Sequence, residues 1–269
     1  MTPVGIVVSL LAIFVSMVMN HGKVGSIINV PSMILVFGGT IGVSLAGLKR
    51  DDWRSIRGGL RTALAKRNTW TATEFSEHLI EASRDARRQG LNVLENGGLP
   101  EVEVDPFVRT GVELIVATSD PERVRAVLEA EIVGMETRHQ VAIRFFHNMG
   151  GFAPTIGILG TVIGLVRVLA NLATPSKLGG AIAEAFTATL WGVMTANVFW
   201  IPIANKLKRL SDDEVGRKEL VIEGLLALQE GLIGRQLRDR IEPFLAPGDR
   251  TTTNPTAAGP HEQPETSAA

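Results

Sequence analysis

MGGFAPTIGILGTVIGLVRVLANL, Met149 to Leu172, and IAEAFTATLWGVMTANVFWIPIA, Ile182 to Ala204, are the paired segments on which the reading of this chain turns. Both are apolar for the length of a membrane crossing, yet both carry prolines, threonines and glycines that a helix facing only lipid does not need. Two further apolar runs lie upstream, Pro3 to Met19 and Ile28 to Leu48. At about 1.5 Å per helical residue, four runs of about 17 to 24 residues match a hydrocarbon core about 30 Å thick. The expectation is an all-α membrane protein with four transmembrane helices.

The net charge of −1 is an average over two solvents, because Lys49 to His147 and the stretch after Lys206 are as charged as any soluble protein. With no cysteine in its 269 residues, the chain has neither a disulfide framework nor a thiolate metal site. His21, His78, His139, His147 and His261 show no ligand spacing, and no Ser/His/Asp set or phosphate-cradling glycine loop stands out. No enzyme activity, metal, resident cofactor or nucleic-acid partner is expected. The first run lacks a basic residue ahead of it and a small-residue cleavage site after it, so it reads as a retained helix. Basic residues crowd two flanks: Lys49, Arg50, Arg54, Arg57, Arg61, Lys66 and Arg67 after the second run, and Lys206, Lys208 and Arg209 after the fourth. The links between paired runs hold only Lys23 and Lys177, which puts both termini and the long middle segment in the cytoplasm.

Five segments follow: a transmembrane hairpin (1–48), a cytoplasmic helical loop (49–147), a second hairpin (148–205), a cytoplasmic helix (206–245) and a disordered tail (246–269). The tail has too few large apolar residues to offset ordering entropy. Within the loop, helices are expected over Asp52–Leu64, over Ala72–Gln89 with Thr73 as N-cap and Gly90 as stop, and over Val104–Ala117. Asp120 and Pro121 start another, whose Val124, Val127, Leu128 and Ile132 share one face and which runs into the third apolar run as far as a break at Gly150 and Gly151. Asp212 to Ile241 reads as a separate amphipathic helix lined by Val221, Leu225, Leu228 and Leu232.

The chemistry-bearing positions are few. Gly157, Gly160 and Gly164 share a helical face and permit a close neighbour, which by itself is packing. Pro154 frees a carbonyl, tolerated at membrane depth only beside a neighbour or water. Thr161, about two turns deeper on the same face, either meets a partner or a hydrated path, or bonds its own backbone. In the fourth run Glu184 is a carboxylate near the outer end, either functional or reaching the interface. Thr187, Thr189 and Thr195 add hydroxyls, and Pro202 either interrupts the ladder or ends the helix. Arg167 can snorkel outward. A lone carboxylate is too little for an ion relay, so the essential acid is expected on another chain.

Several motifs in order, INVPSMILVFGGTIG (Ile28–Gly42), ARRQGLNVLE (Ala86–Glu95) and RHQVAIRFFHNMGGFAPTIGILGTVIGLV, resemble the MotA/PomA family of flagellar stator subunits, over the chain up to about Pro243. The resemblance implies a bacterial inner-membrane protein, five copies of which surround two single-pass MotB or PomB chains whose aspartate carries the ion. It puts Pro154, Thr161, Thr189 and Pro202 at positions that face or couple to that aspartate, and Arg87 and Glu95 at positions that engage the rotor protein FliG. Thr161 is the residue type of sodium-driven members, whereas AIAEAFTAT, with Glu184 and Thr189, is similar to the proton-driven ExbB and TolQ proteins. Protons are slightly favoured. An ExbB/TolQ-type energiser and a non-conducting scaffold are the alternatives, and the N-terminal hairpin argues against the first.

Overall fold

The structure is a computed structural model that describes residues 2–19, 25, 27–64 and 70–248. Among these, every regular element is helical: α1 (Thr2–Met19), α2 (Val30–Ala46), α3 (Asp52–Leu64), α4 (Ala72–Gln89), α5 (Glu101–Val104), α6 (Pro106–Ala117), α7 (Pro121–Ala170), α8 (Pro175–Thr195), α9 (Ile201–Gln229) and α10 (Arg235–Ile241). Short 3₁₀ and π turns fill Leu91–Gly98, and a π turn over Ala196–Trp200 joins α8 to α9. Two of the described helices are long and apolar enough to cross a membrane, α7 and the continuous helix Leu178–Gln229; Val4–Met19 and Val30–Ala46 are shorter apolar helices. The expected all-helical class is therefore observed, with two helices of spanning length where four were anticipated. The basic Lys66 and Arg67, the link residues His21 and Lys23, and the tail from 249 onward lie outside the described residues.

The chain divides into two compact units, residues 1–69 with 126–218 and residues 70–125 with 219–269. In the first, Ile56 of α3 is buried with Ala142, Ile143, Phe145, Phe146 and Met149 of α7 and Ala204 and Leu207 of α9. Asn29 caps α2, its side chain accepting from the Ser32 amide at 3.0 Å, and Pro31 occupies the first turn where its missing donor costs nothing. In the second unit, Phe75 and Leu79 of α4, Phe107 and Val112 of α6, Leu225 of α9 and Leu237 of α10 are fully or almost fully buried. Glu223 accepts from Arg125 at 2.6 Å and from Arg240 at 2.8 Å. Burial pushes the Glu223 carboxyl up, but the two guanidinium bonds outweigh it and hold the group below its ordinary range.

The structure corrects several local expectations. α4 is capped by Thr71, not Thr73: the Thr71 hydroxyl accepts from the Glu74 amide while the Glu74 carboxylate accepts from the Thr71 amide, a closed capping box. Gly90 ends that helix as expected, at φ 88°. α7 passes through Gly150 and Gly151 unbroken. Gly150 is a contact: a Cβ there would stand 2.5 Å from Ile201 Cγ1. Of the four residues expected on one buried face of α7, Val124, Leu128 and Ile132 are buried, whereas Val127 is exposed. The amphipathic stretch Asp212–Ile241 is not a separate helix. α9 carries it on from the fourth apolar run to Gln229, and Gly231 and Gly234, both at positive φ, turn the chain into α10.

Candidate functional site

α7 and α8 pack through backbone. A Cβ on Gly157 would lie 3.0 Å from the Ala188 carbonyl, one on Gly160 2.5 Å from Ala188 Cβ, one on Gly164 2.4 Å from Ala185 Cβ, and one on Gly192 2.5 Å from the Ala153 carbonyl. The glycines thus form the seam of an antiparallel crossing, because no other residue allows helix axes so close. Close approach brings polar atoms of both helices together. The Thr161 and Thr189 hydroxyls touch, the Thr189 hydroxyl donates to the Gly157 carbonyl at 3.2 Å, and Thr161 Oγ1 lies 3.3 Å from the Gly157 carbonyl and 3.4 Å from that of Ala185. Two hydroxyls and two carbonyls therefore cluster at one point, and both threonines remain half-buried.

Pro154 lies in α7 at the start of this seam, next to Ala153. It cannot donate to the Gly150 carbonyl one turn earlier, and it is half-buried. Pro202 does not join the threonine cluster. It lines a cavity of about 600 Å³ with Ile6 and Ser9 of α1 and with Asn197 and Asn205. Pro202 lacks the N–H that would pair with the Val198 carbonyl, and the ladder is widened to a π turn over Ala196–Trp200 just ahead of it. The helix neither ends nor breaks there.

Glu184 has a partner the sequence did not suggest. Arg167 donates to its carboxylate at 2.9 Å, with the arginine 55% and the glutamate 25% exposed. The register that sets Gly164 against Ala185 carries Arg167 to Glu184 one turn further on. That pairing was legible only once the helices were known to cross on those glycines. Trp191 anchors α8 from the other side, its indole donating to the Ile27 carbonyl at 2.9 Å and packing 5.9 Å from the Phe37 ring.

Arg87 and Glu95 lie in the second unit. Arg87 is exposed in the last turn of α4, and Glu95 is exposed in the π turn that follows Gly90. No ion pair ties either one down among the described residues. Nearby, His78 Nδ1 bonds Glu101 Oε1 at 2.7 Å, and this hydrogen bond holds the imidazole above its usual pKa. The same residues show no cluster of three or more His, Cys, Asp or Glu that could hold a metal.

An all-α chain in which two membrane-length helices cross on glycines, with hydroxyls and carbonyls gathered at the crossing, has the construction of a membrane channel subunit. Residues 101–220 match the MotA/TolQ/ExbB proton channel family. The chain is 32% identical to Motility protein A of Bacillus subtilis over 247 residues, covering 92% of this chain and 91% of the relative, and 36% identical to Motility protein A of Borreliella burgdorferi over 72% and 74%. The flagellar MotAB stator complex from Bacillus subtilis contains a chain that superimposes with a TM-score of 0.85 at 32% identity, over 93% of this chain and 98% of that one. The chain belongs to the motility protein A family.

Proposed function

We infer that the chain is a stator subunit of the flagellar motor, which forms an ion channel with a MotB- or PomB-type single-pass partner and couples ion influx to torque on the rotor. The observation that carries this reading is the Thr161–Thr189 cluster at the glycine seam of α7 and α8, in a chain that aligns with Motility protein A over 92% of its length. The partner supplies the acid. Hydroxyls and freed carbonyls supply the polar surface along which a proton or sodium ion reaches that acid, and neutralising one charge shifts the packing favoured by the ring.

In this reading all four apolar helices span the inner membrane, with both termini cytoplasmic. α1 and α2 hold 18 and 17 residues, about 26 Å of helix, which a slightly thinned or snorkelling boundary accommodates. Val7, Leu11, Phe14, Ile158, Val162 and Val166 are large, apolar and exposed, as side chains that meet lipid or neighbouring copies must be. Five copies around two partners is the proposed assembly. Pro154 and Thr161 of α7 and Thr189 of α8 face the partner's acid, and Pro202 hinges α9 against the membrane half. Glu184, paired with Arg167, sits at the outer mouth.

Arg87 and Glu95 grip FliG, since exposed charges make weak, screened contacts that suit a partner to be caught and released. The proposed segments are the two hairpins (1–48 and 148–205), the rotor-facing loop (49–147), the helix at 206–245 and a disordered tail. Beyond the reversible making and breaking of an O–H bond on the partner's acid no covalent chemistry is involved, and the moving species is the transported ion, here taken as a proton. Swimming speed tests this directly. It should be independent of external sodium and collapse with a proton uncoupler; speed that rises with sodium and survives the uncoupler overturns the proton assignment. Normal rotation in cells lacking the chain overturns the stator reading.

A further inference from the structure

A cavity in the first unit lies outside the ion pathway. α3 lies against α7 and α9: Ile56 is buried in their shared cluster, and a Cβ on Gly59 would stand 2.7 Å from that of Ala142. The three helices border a space of about 360 Å³, inside the range of roughly 300–1,000 Å³ common for small-molecule sites. Its wall includes Arg54 from α3, Arg138 and His139 from α7, and Leu207, Ser211 and Glu214 from α9. Ser211, 4% exposed, is bonded to His139 Nδ1 at 3.0 Å, so the floor is a fixed polar surface. Neither Arg54 nor Arg138 has an ion-pair partner among the described residues.

Charge and depth narrow the ligand. Two guanidinium groups against one carboxylate leave the wall one positive charge in excess, which suits a monoanion better than a dianionic phosphomonoester. Guanidinium forks match phosphate oxygens in pairs. The wall residues lie three to eleven positions beyond Met149 or Ala204, where the apolar segments end. At about 1.5 Å per residue this is roughly 5–15 Å, a span that overlaps the headgroup layer. α3 itself has the composition of a helix lying in the interface. Trp53, 47% exposed, and Leu60, 38% exposed, share one face, and Arg54, Arg57 and Arg61 adjoin it.

We propose that this cavity holds the phosphodiester headgroup of an anionic phospholipid, clamped by Arg54 and Arg138 over the Ser211–His139 floor, with its glycerol against Leu207. The site would fasten α3 to the membrane beside the helix that carries Pro202. The proposal rests on the membrane placement of α7 to α9 but not on which ion is carried.

The test uses the intact complex, full-length chain with its partner, purified in a neutral detergent. Melting temperature is followed as phosphatidylglycerol, phosphatidylcholine or soluble glycerol-3-phosphoglycerol is added at equal concentration. Phosphatidylglycerol should raise it by several degrees and phosphatidylcholine should not. The double variant R54Q/R138Q should melt like the wild type without lipid and lose most of the shift. R57Q, on the same helix but outside the cavity, should keep it. Equal shifts from phosphatidylcholine, an unchanged shift in the double variant, or equal loss in R57Q would each overturn the site. A matching shift from the soluble diester would overturn the lipid as its source. A double variant that melts lower without lipid is replaced by single R54Q and R138Q, each expected to weaken lipid binding severalfold; singles that bind like the wild type refute the clamp.

Discussion

Replacing Thr189 with valine separates the chemistry of the α7–α8 crossing from its packing. Valine keeps the shape and deletes the hydroxyl, which donates to the Gly157 carbonyl at 3.2 Å and touches Thr161. Thr161 is not orphaned by the change, because the Gly157 and Ala185 carbonyls remain 3.3 and 3.4 Å away. The structural cost is therefore one interhelical hydrogen bond in a membrane, about 0.6 kcal/mol on average and about 1.7 at the upper end. That corresponds to roughly threefold, and at most about twentyfold, in the packing equilibrium. Neither figure empties the membrane of complex. T189V should thus assemble at normal levels by immunoblot and melt within a few degrees of the wild type, yet fail to swim in soft agar and fail to conduct when co-expressed with a plug-deleted partner. T189S, which restores the hydroxyl, should recover motility, and a bulky apolar residue should not. Wild-type swimming by T189V would refute a role for this hydroxyl in the ion path. Loss of the complex from the membrane would show that the hydroxyl works as structure.

Three further outcomes follow from the geometry. P202L should assemble but not swim, because it restores the missing N–H beside the π turn over Ala196–Trp200 and stiffens that position; normal swimming would remove Pro202 from the coupling mechanism. G164V should be destabilised by about 1–3 kcal/mol or more, since even a Cβ would stand 2.4 Å from Ala185 Cβ, and the readout is a lower melting temperature with less complex recovered. His78 should make a small pH-dependent contribution. Its pKa is raised by the bond to Glu101, so its stabilisation is complete below the unfolded value of about 6.5 and fades as pH rises through the higher folded value. The imidazole is 41% exposed, so solvent screening keeps the effect slight. H78Q should flatten the melting temperature across that window, and an unchanged profile would show the pair to be energetically silent.

The glycine row at Gly157, Gly160 and Gly164 announced a close helix neighbour from its spacing alone, and the neighbour is α8. Gly150, expected to be a break, packs as that row does, since a glycine reads locally as a breaker whether or not Ile201 presses against it. Thr71 displaced Thr73 as the cap because the reciprocal bond to Glu74 depends on a three-residue offset that only Thr71 satisfies. Arg167 looked like a snorkelling end residue until the crossing set it beside Glu184. Pro154, Thr161, Thr189 and Pro202 stood out together as polar or kinking residues in apolar helices. Their separation into a threonine cluster and a proline beside α1 was not legible.

Helix content, the apolar lengths and the charged middle segment were determined by the sequence alone, because each depends on residues within a few turns of one another and on transfer between water and hydrocarbon. Which oxygen meets which across α7 and α8, and which glycine packs instead of breaking, was decided only by the tertiary structure. Those contacts join residues some 17 to 51 positions apart. Their register is set by how closely two backbones approach, a quantity that no single helix encodes.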